Sequence, residues 1–211
     1  MASSFPSQIP AIVFLLQQLK PKSILDIGKG FGKYGFLIHE YVGIDNQKKI
    51  DPSLTLAEQS NIKVDAVEVD ADLMLPHLDQ IYSKVYFGDI FELYKNLPEY
   101  EMILMIDVIE HLDKEKSIEM LRYFLTRNSK ILIATPLTFF QQEIYESSFE
   151  HHVSLWKAKD FKKLGCLEYQ HSQGGAIYFL SNKKEKIRGF GNSVIKKARR
   201  LARLLKDEIN I

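Results

Sequence analysis

The stretch that decides the fold is SILDIGKGFG, residues 23–32. It combines a short apolar strand that carries one acid, Asp26, with glycines at three alternate positions, Gly28, Gly30 and Gly32. Glycine lets the backbone adopt conformations that a Cβ forbids, and lets a ligand approach the main chain closely. Residues of helical character follow at once, so N–H groups of the loop and of a helix N-terminus face one small space. The stretch therefore predicts a nucleotide-binding corner.

The glycine spacing fits neither of two familiar nucleotide-binding motifs. A dinucleotide fingerprint needs a third small residue five positions after the first glycine, and that position is Lys33. A P-loop needs a glycine five positions before a Gly-Lys-Ser/Thr triplet, whereas Ile27 stands there and Tyr34 follows Gly32-Lys33. An oxidoreductase or epimerase with a nicotinamide cofactor remains an alternative, with Lys33 as the argument against it.

Composition and charge fit one domain with a short appendage. The chain has 211 residues, of which 45% are apolar, and this is enough for a substantial core. Residues 1–182 carry 18 Lys/Arg against 24 Asp/Glu, whereas residues 183–211 carry 10 against 3. We therefore expect a mildly acidic domain over 1–182 and a basic, amphipathic C-terminal helix over 183–211.

The cysteine count and the N-terminal sequence indicate the cellular compartment. The single cysteine, Cys166, excludes an internal disulfide and a cysteine-based zinc site. The apolar run at 11–16 is too short for a signal peptide or a membrane span, and Ala2 in place of glycine excludes myristoylation. We expect a cytoplasmic protein.

Strands alternate with helices along the body of the chain. Apolar runs predict strands over 24–27, 63–69, 85–87, 101–106, 131–134, 167–171 and 176–180, and helical spacing predicts helices over 8–20, 34–41, 72–82, 117–126 and 157–164. Residues 43–61 form a polar insertion, and Gly174-Gly175 indicates a hairpin. The order predicts an α/β fold: a doubly wound, seven-stranded, mostly parallel sheet with an antiparallel C-terminal hairpin strand and helices on both faces.

An acid stands at or directly beyond the end of each of the first four strands. These are Asp26, Glu68, Asp89 and Asp107, and ligands of open parallel sheets bind at the carboxyl ends of the strands. A carboxylate at 68 suits a ribose diol, because it accepts two hydrogen bonds, and one at 89 suits an adenine amino group. Single acids at strand ends often only cap the next helix, but four behind a glycine corner indicate a nucleoside site.

The pattern Asp26-x-Gly28-x-Gly30-x-Gly32 resembles motif I of the class I S-adenosylmethionine-dependent methyltransferases, and the resemblance extends over about residues 20–182. It implies S-adenosylmethionine as cofactor. It implies a pocket formed by Asp26 and the three glycines, ribose binding by Glu68, adenine contacts from Asp89 and Ile90, and Asp107 and Val108 beside the methionine end.

One interval departs from the expected spacing. Glu68 lies 40 residues after Gly28, about twice the ~20 residues that separate the glycines from the ribose acid in dinucleotide-binding units. The insertion at 43–61 explains the difference, and it makes Asp70 and Asp45 alternatives to Glu68. The apolar neighbours of residue 68 favour Glu68.

Residues 106–112, IDVIEHL, resemble the Asp/Glu-x-x-Glu-His segment of the ubiquinone-type small-molecule O-methyltransferases. The resemblance implies that Asp107, Glu110 and His111 cluster beside the substrate, where some members hold a divalent cation; carboxylates and histidine suit such an ion. The alternative is that Glu110 caps the next helix and His111 packs under the cofactor. We assign no metal ligand from the sequence.

The long loop that includes residues 145–156 follows the fifth predicted strand and should lie over the pocket mouth. Its aromatic side chains could form the wall of an acceptor site. His151 or His152, ranked slightly ahead of His111, could act as the catalytic base, because the ordinary histidine pKa of ~6.5 suits proton transfer. The alternative is that His152 and Trp156 anchor the loop onto the sheet.

The C-terminal tail carries apolar residues at helical spacing between Ile187 and Leu205 among many basic ones. Such a helix could bind an anionic membrane surface, associate with a second copy, or pack on its own domain. The net acidic body has no nucleic-acid module. We expect a methyltransferase that acts on an oxygen or nitrogen of a small-molecule acceptor, with no nucleic acid as partner; a catalytically inactive scaffold subunit with the same fold is a further alternative.

Overall fold

The computed structural model describes residues 5–45, 50–138, 151–172 and 174–188. Its centre is a seven-stranded sheet in the order β3-β2-β1-β4-β5-β7-β6. Strands β1 to β5 are parallel, and β7 runs antiparallel between β5 and β6, which confirms the predicted fold. The strands are β1 Ser23–Ile27, β2 Lys63–Glu68, β3 Lys84–Phe87, β4 Met102–Ile106, β5 Lys130–Pro136, β6 Cys166–Ser172 and β7 Gly175–Ser181.

Helices cover both faces of the sheet. On one face Leu25 and Ile27 pack with Leu121 of the longest helix, and on the other Ile24 packs with Leu15 of the first helix. This alternation follows from the two-residue period of a strand. The helices are α1 Ile9–Leu19, α2 Lys33–Ile38, α3 Leu56–Gln59, α4 Ile90–Leu93, α5 Lys114–Thr126 and α6 Ala158–Phe161.

The order of the strands reverses between β1 and β4, at the centre of the sheet. All five residues of β4 are buried, as its uninterrupted apolar sequence predicts for a strand covered on both faces. The helices that follow β1 and β4, α2 and α5, pack on opposite faces of the sheet. The crevice at the carboxyl ends of these two strands is where open α/β sheets bind ligands.

The helix predicted over 72–82 is wrong. Two short 3₁₀ turns, Ala71–Leu73 and Pro76–Gln80, occupy this segment. Pro76 has no N–H to donate, and its ring restricts the residue before it to extended backbone; Leu75 accordingly has φ −90° and ψ 143°. A continuous helix cannot pass through this point.

The basic tail is described only as far as residue 188. Residues 183–188 are not helical, and they run beside α1, where Arg188 N–H donates to Gln18 Oε1 at 2.8 Å and Gln18 Nε2 donates to Arg188 O at 3.0 Å. The rest of the predicted C-terminal helix lies outside the described residues. Among the helices of the described ranges, none has the length and apolar character needed to cross a membrane.

Candidate functional site

The loop after β1 has left-handed backbone at all three glycines, with φ +70° at Gly28, +54° at Gly30 and +84° at Gly32. A Cβ at Gly28 would lie 2.4 Å from Val108 Cγ2, and one at Gly32 would lie 2.8 Å from Leu78 Cδ2. At Gly30 no atom of the described chain lies within 4 Å of that position. Two of the glycines therefore permit close packing, whereas Gly30 faces open space in front of the sheet.

A cleft of about 200 Å³ opens at the carboxyl ends of β1, β2 and β4. Six of the residues singled out from the sequence line it together: Gly28, Glu68, Asp89, Ile90, Val108 and His111. Its wall also includes Phe91, Leu112 and Asp113, which the sequence reasoning missed although each lies within a few residues of a strand-end acid. The carboxyl group of Asp89 also caps α4, accepting from Phe91 N–H at 2.8 Å.

The carboxylate of Glu68 is fixed by main-chain donors. Its Oε2 accepts from Gly30 N–H at 3.1 Å, and its Oε1 accepts from Val69 N–H at 2.9 Å and Asp70 N–H at 3.1 Å. Glu68 is 5% exposed and faces the cleft. The alternative acid Asp70 caps the following turn through Asp72 N–H, and Asp45 lines a separate cavity, so Glu68 has the position that suits a ribose.

Lys29 lies inside the glycine loop with its side chain fully buried. Its Nζ donates to Leu73 O at 2.7 Å and lies 4.0 Å from Glu68 Oε2. Burial lowers the pKa of Lys29, and the nearby carboxylate of Glu68 partly offsets the effect. The lysine therefore ties the glycine loop to the turn after β2 and compensates the charge of Glu68.

Asp26 is buried beneath the loop and lies off the cleft wall. It is 2% exposed, and its Oδ2 accepts from the Tyr82 hydroxyl at 2.6 Å. Burial raises the pKa of Asp26 to about 7. The ring of Tyr82 in turn fills the space beside Gly35, where a Cβ would lie 2.5 Å from it. The motif acid thus fixes the packing of α2 against the following segment.

Glu110, His111 and His152 form a compact cluster at the far end of the cleft. One side-chain ligand atom from each lies within 4.8 Å of the others, and the rings of His111 and His152 are 4.8 Å apart, edge to face. Glu110 Oε2 accepts from Thr135 Oγ1 at 3.0 Å. Burial raises the pKa of Glu110 to about 8, and burial lowers the pKa of His152.

Main-chain hydrogen bonds bring His152 to this cluster. Val153 N–H and Ser154 N–H both donate to Glu110 O, at 2.8 and 2.9 Å. Trp156 Nε1 donates to Ile109 O at 3.1 Å, and its buried ring stacks on Phe161. Trp156 therefore anchors the described part of the loop, residues 151–156, while the other aromatic residues of the predicted wall, Tyr145 and Phe149, lie outside the described residues.

His151 is placed differently from His152. The residue is exposed and is not part of the cluster, and its carbonyl oxygen lies 3.2 Å from His111 Nδ1. Glu110 does not cap the next helix, because Asp113 caps α5 by accepting from Lys116 N–H at 2.9 Å.

The cluster fits a divalent cation by the chemistry of its donors. Two imidazoles and one carboxylate suit Mn²⁺, Fe²⁺, Co²⁺ or Zn²⁺. In the described part of the chain, Glu110 Oε1 is buried without a hydrogen-bond partner, an arrangement that a bound cation would satisfy. Asp107 is outside the three-residue set, but its charge contributes to the raised pKa of Glu110.

The fold is that of the class I methyltransferases. No protein-family model matches the sequence, and no curated protein matches it. The methyltransferase domain of bacterial CtHen1 is 16% identical, with a TM-score of 0.57 over 83% of this chain and 97% of that one. A SAM-dependent methyltransferase from Archaeoglobus fulgidus is 19% identical, with a TM-score of 0.53 over 78% of this chain and 70% of that one.

An O-methyltransferase family protein from Burkholderia thailandensis is a further solved structure with this fold. It is 11% identical, with a TM-score of 0.56 over 85% of this chain and 57% of that one. At such identities the likeness concerns the fold alone. These structures do not single out the ubiquinone-type enzymes.

Proposed function

We propose that the chain is an S-adenosylmethionine-dependent methyltransferase that methylates a hydroxyl oxygen of a small-molecule acceptor. One observation carries the proposal: His111 lines the nucleoside cleft beside Glu68 and Val108, and it also belongs to the cluster with Glu110 and His152. A cofactor cleft and a set of acid–base groups therefore meet at one residue, as a group-transfer site requires.

The cleft suits the adenosine part of the cofactor. The fixed carboxylate of Glu68 can accept from both ribose hydroxyls, which is the recognition that a vicinal diol calls for. Ile90 and Phe91 supply apolar surface for a purine ring, and Asp89 stands at its edge. The open space in front of Gly30 lets a ligand approach the main chain.

Most of the catalysis is expected to come from positioning and desolvation. When bound, the sulfonium supplies a methyl group for in-line displacement, and the attacking hydroxyl must align with it in a site that excludes water. The hydroxyl must also lose its proton. Without a cation in the cluster, the lowered pKa of His152 favours its neutral ring, which can accept that proton.

Transfer to oxygen is favoured over transfer to nitrogen by the donor set. A cation held by Glu110, His111 and His152 would lower the pKa of a bound hydroxyl.

The proposal is tested by calorimetric titration of the protein with S-adenosylhomocysteine and, separately, with NAD. We expect micromolar binding of S-adenosylhomocysteine and none of NAD. Glu68→Ala should remove this binding, and Glu115→Ala, a change at an exposed acid of α5, should leave it intact. Binding of NAD alone would favour the oxidoreductase alternative, and binding of neither would favour a scaffold protein.

A further inference from the structure

Two large aromatic side chains beside the first helix face solvent. Phe14 of α1 is 45% exposed, and Tyr41, in the π-helical turn His39–Gly43 that follows α2, is 51% exposed. Gln17 Nε2 donates to Tyr41 O at 3.2 Å, so this turn lies against α1, and Phe14 is a helical neighbour of Gln17 three residues before it. Phe14 and Tyr41 together form what we call the aromatic patch. Exposed apolar groups on adjacent elements mark an interaction surface more often than single ones do.

The C-terminal tail leaves the domain at this patch. Gln18 of α1 and Arg188 exchange two hydrogen bonds, at 2.8 and 3.0 Å, and Ile187 packs against the core cluster that contains Leu15 of α1. Gln18 comes four residues after Phe14, which puts both on one face of the helix. The chain beyond Arg188 therefore starts about one helical turn from Phe14.

Residues 189–211 lie outside the described residues, but their sequence suits the patch. The apolar residues that recur there at helical spacing are Val194, Ala198, Leu201 and Leu205. They predict a helix with one apolar stripe, and Leu204 falls outside this stripe. A surface helix buries such a stripe against another element. Gly189 and Gly191 can let the chain turn from Arg188 onto α1.

The length of this segment matches the helix beside it. α1 has 11 residues, and at 1.5 Å per residue it is about 17 Å long. A helix over residues 194–205 would be about 18 Å long by the same measure. One such helix can therefore run along α1 and reach the whole of the aromatic patch.

The distribution of charge favours this domain as the surface on which the segment docks. Residues 189–211 carry six Lys/Arg against two Asp/Glu, whereas residues 1–182 carry 18 against 24. Opposite net charges attract the segment to its own domain, and two such segments from different copies repel each other.

We propose that residues 194–205 form a helix whose apolar stripe packs on the aromatic patch, as a further layer of the domain. Docking removes the rings of Phe14 and Tyr41 from water, and it leaves the basic face of the helix, with Arg199, Arg200 and Arg203, in solvent. Neither residue of the patch lines the nucleoside cleft, so the proposal does not depend on the proposed function.

Hydrogen exchange of the full chain in the absence of lipid, followed by mass spectrometry, tests the proposal. We expect peptides from residues 194–205 to exchange slowly in the wild type. Phe14→Ser and Leu205→Ser should each make them exchange about tenfold faster or more, because the apolar contact that holds the helix is lost. Two matched controls should leave the exchange unchanged: Phe87→Ser, at a comparably exposed ring at the end of β3, and Leu204→Ser, outside the apolar stripe.

Peptides from β4 show in the same experiment whether each variant is folded, and Tyr41→Ser replaces Phe14→Ser if that variant is not. Slow exchange of 194–205 that Phe14→Ser or Tyr41→Ser leaves unchanged would overturn the proposal. Fast exchange in the wild type that becomes slow only on vesicles of phosphatidylglycerol and phosphatidylcholine would overturn it in favour of a membrane surface. Protection that appears only as the protein concentration rises, together with a dimer in analytical ultracentrifugation, would overturn it in favour of a second copy.

Discussion

The carboxylate of Glu68 accepts a hydrogen bond from Gly30 N–H at 3.1 Å, across 38 residues of sequence. The two loops meet because β1 and β2 pair in parallel, with Ile27 opposite Val67, so both leave the sheet at the same edge. One acid therefore shapes the glycine loop and faces the cleft as well. A substitution that displaces either of these two loops should therefore also displace the other.

Lys29→Met tests this connection. The change removes the 2.7 Å hydrogen bond to Leu73 O and the charge beside Glu68. We expect roughly a tenfold loss of affinity for S-adenosylhomocysteine, from about 1.4 kcal/mol of lost positioning, measured by calorimetric titration. Lys95→Met, at an exposed ion pair with Glu119, is the matched control; an equal effect in both variants would argue against a role of Lys29 in the loop.

Gly28→Ala and Gly30→Ala should separate folding from binding. Both put a Cβ on left-handed backbone, at roughly 1–2 kcal/mol, but only at Gly28 does that Cβ meet Val108 Cγ2, at 2.4 Å. In urea unfolding we expect Gly28→Ala to lower the free energy of unfolding by about 2–4 kcal/mol, and Gly30→Ala to lower it by about half as much. We nevertheless expect Gly30→Ala to lose ligand binding. Val108→Ala should recover part of the loss at Gly28 only; recovery at Gly30 would contradict the geometry.

Asp26 should give the free energy of unfolding a falling dependence on pH. Its pKa is about 7 in the folded protein against 3.8 as the ordinary value, chiefly through burial. The folded state then holds a proton that the unfolded state releases between about pH 4 and pH 7, so stability falls as pH rises through this window. At neutral pH the raised pKa of Asp26 lowers the free energy of unfolding by a few kcal/mol, up to about 4.

Urea unfolding of wild type and Asp26→Asn across pH 4–8 measures this contribution. The difference in the free energy of unfolding between wild type and Asp26→Asn should change steadily between about pH 4 and pH 7 and become constant at higher pH. Asp79→Asn, an exposed acid in the neighbouring turn, should run parallel to wild type. A pH-independent difference for Asp26→Asn would mean that Asp26 stays ionised in the fold.

Substitutions of the neighbouring residues His152 and His151 should have different effects on cation binding. His152 belongs to the cluster with Glu110 and His111, whereas His151 is exposed and its carbonyl oxygen, which alanine keeps, lies 3.2 Å from His111 Nδ1. We expect His152→Ala to weaken Mn²⁺ binding, followed by paramagnetic resonance, at least tenfold. We expect His151→Ala to retain it.

A turnover assay on the same two variants extends the comparison. Loss of turnover in His152→Ala, with binding of S-adenosylhomocysteine retained and no Mn²⁺ binding by the wild type, would favour His152 as a base without a cation. Equal behaviour of His151→Ala and His152→Ala in both assays would contradict the placement of the cluster at the acceptor end.

The parts of the fold that depend on local pattern could be predicted from the sequence. The uninterrupted apolar run of β4 and the alternating glycines are each recognisable within ten residues, and the parallel sheet follows from the alternation of strands and helices. The helix predicted over 72–82 failed on a local signal as well. Pro76, within this segment, is the local signal that interrupts a helix.

Other parts of the site depend on contacts between distant segments. Asp26 meets Tyr82 across 56 residues, and nothing near either residue indicates the pair. His151 and His152 are indistinguishable by type, and the hydrogen bonds to Glu110 O decide which one joins the cluster.

Every described residue that lines the nucleoside cleft lies between Ile27 and Asp113, whereas the cluster at its far end needs His152, from beyond β5. On the proposed function, the segment from Ile27 to Asp113 forms the cofactor cleft and supplies Glu110 and His111 of the cluster, and His152 adds the third member. If the proposed function holds, changes after residue 136 would alter which acceptor is accommodated without replacing any residue that lines the cleft. A new acceptor specificity would then arise while the cofactor stays the same.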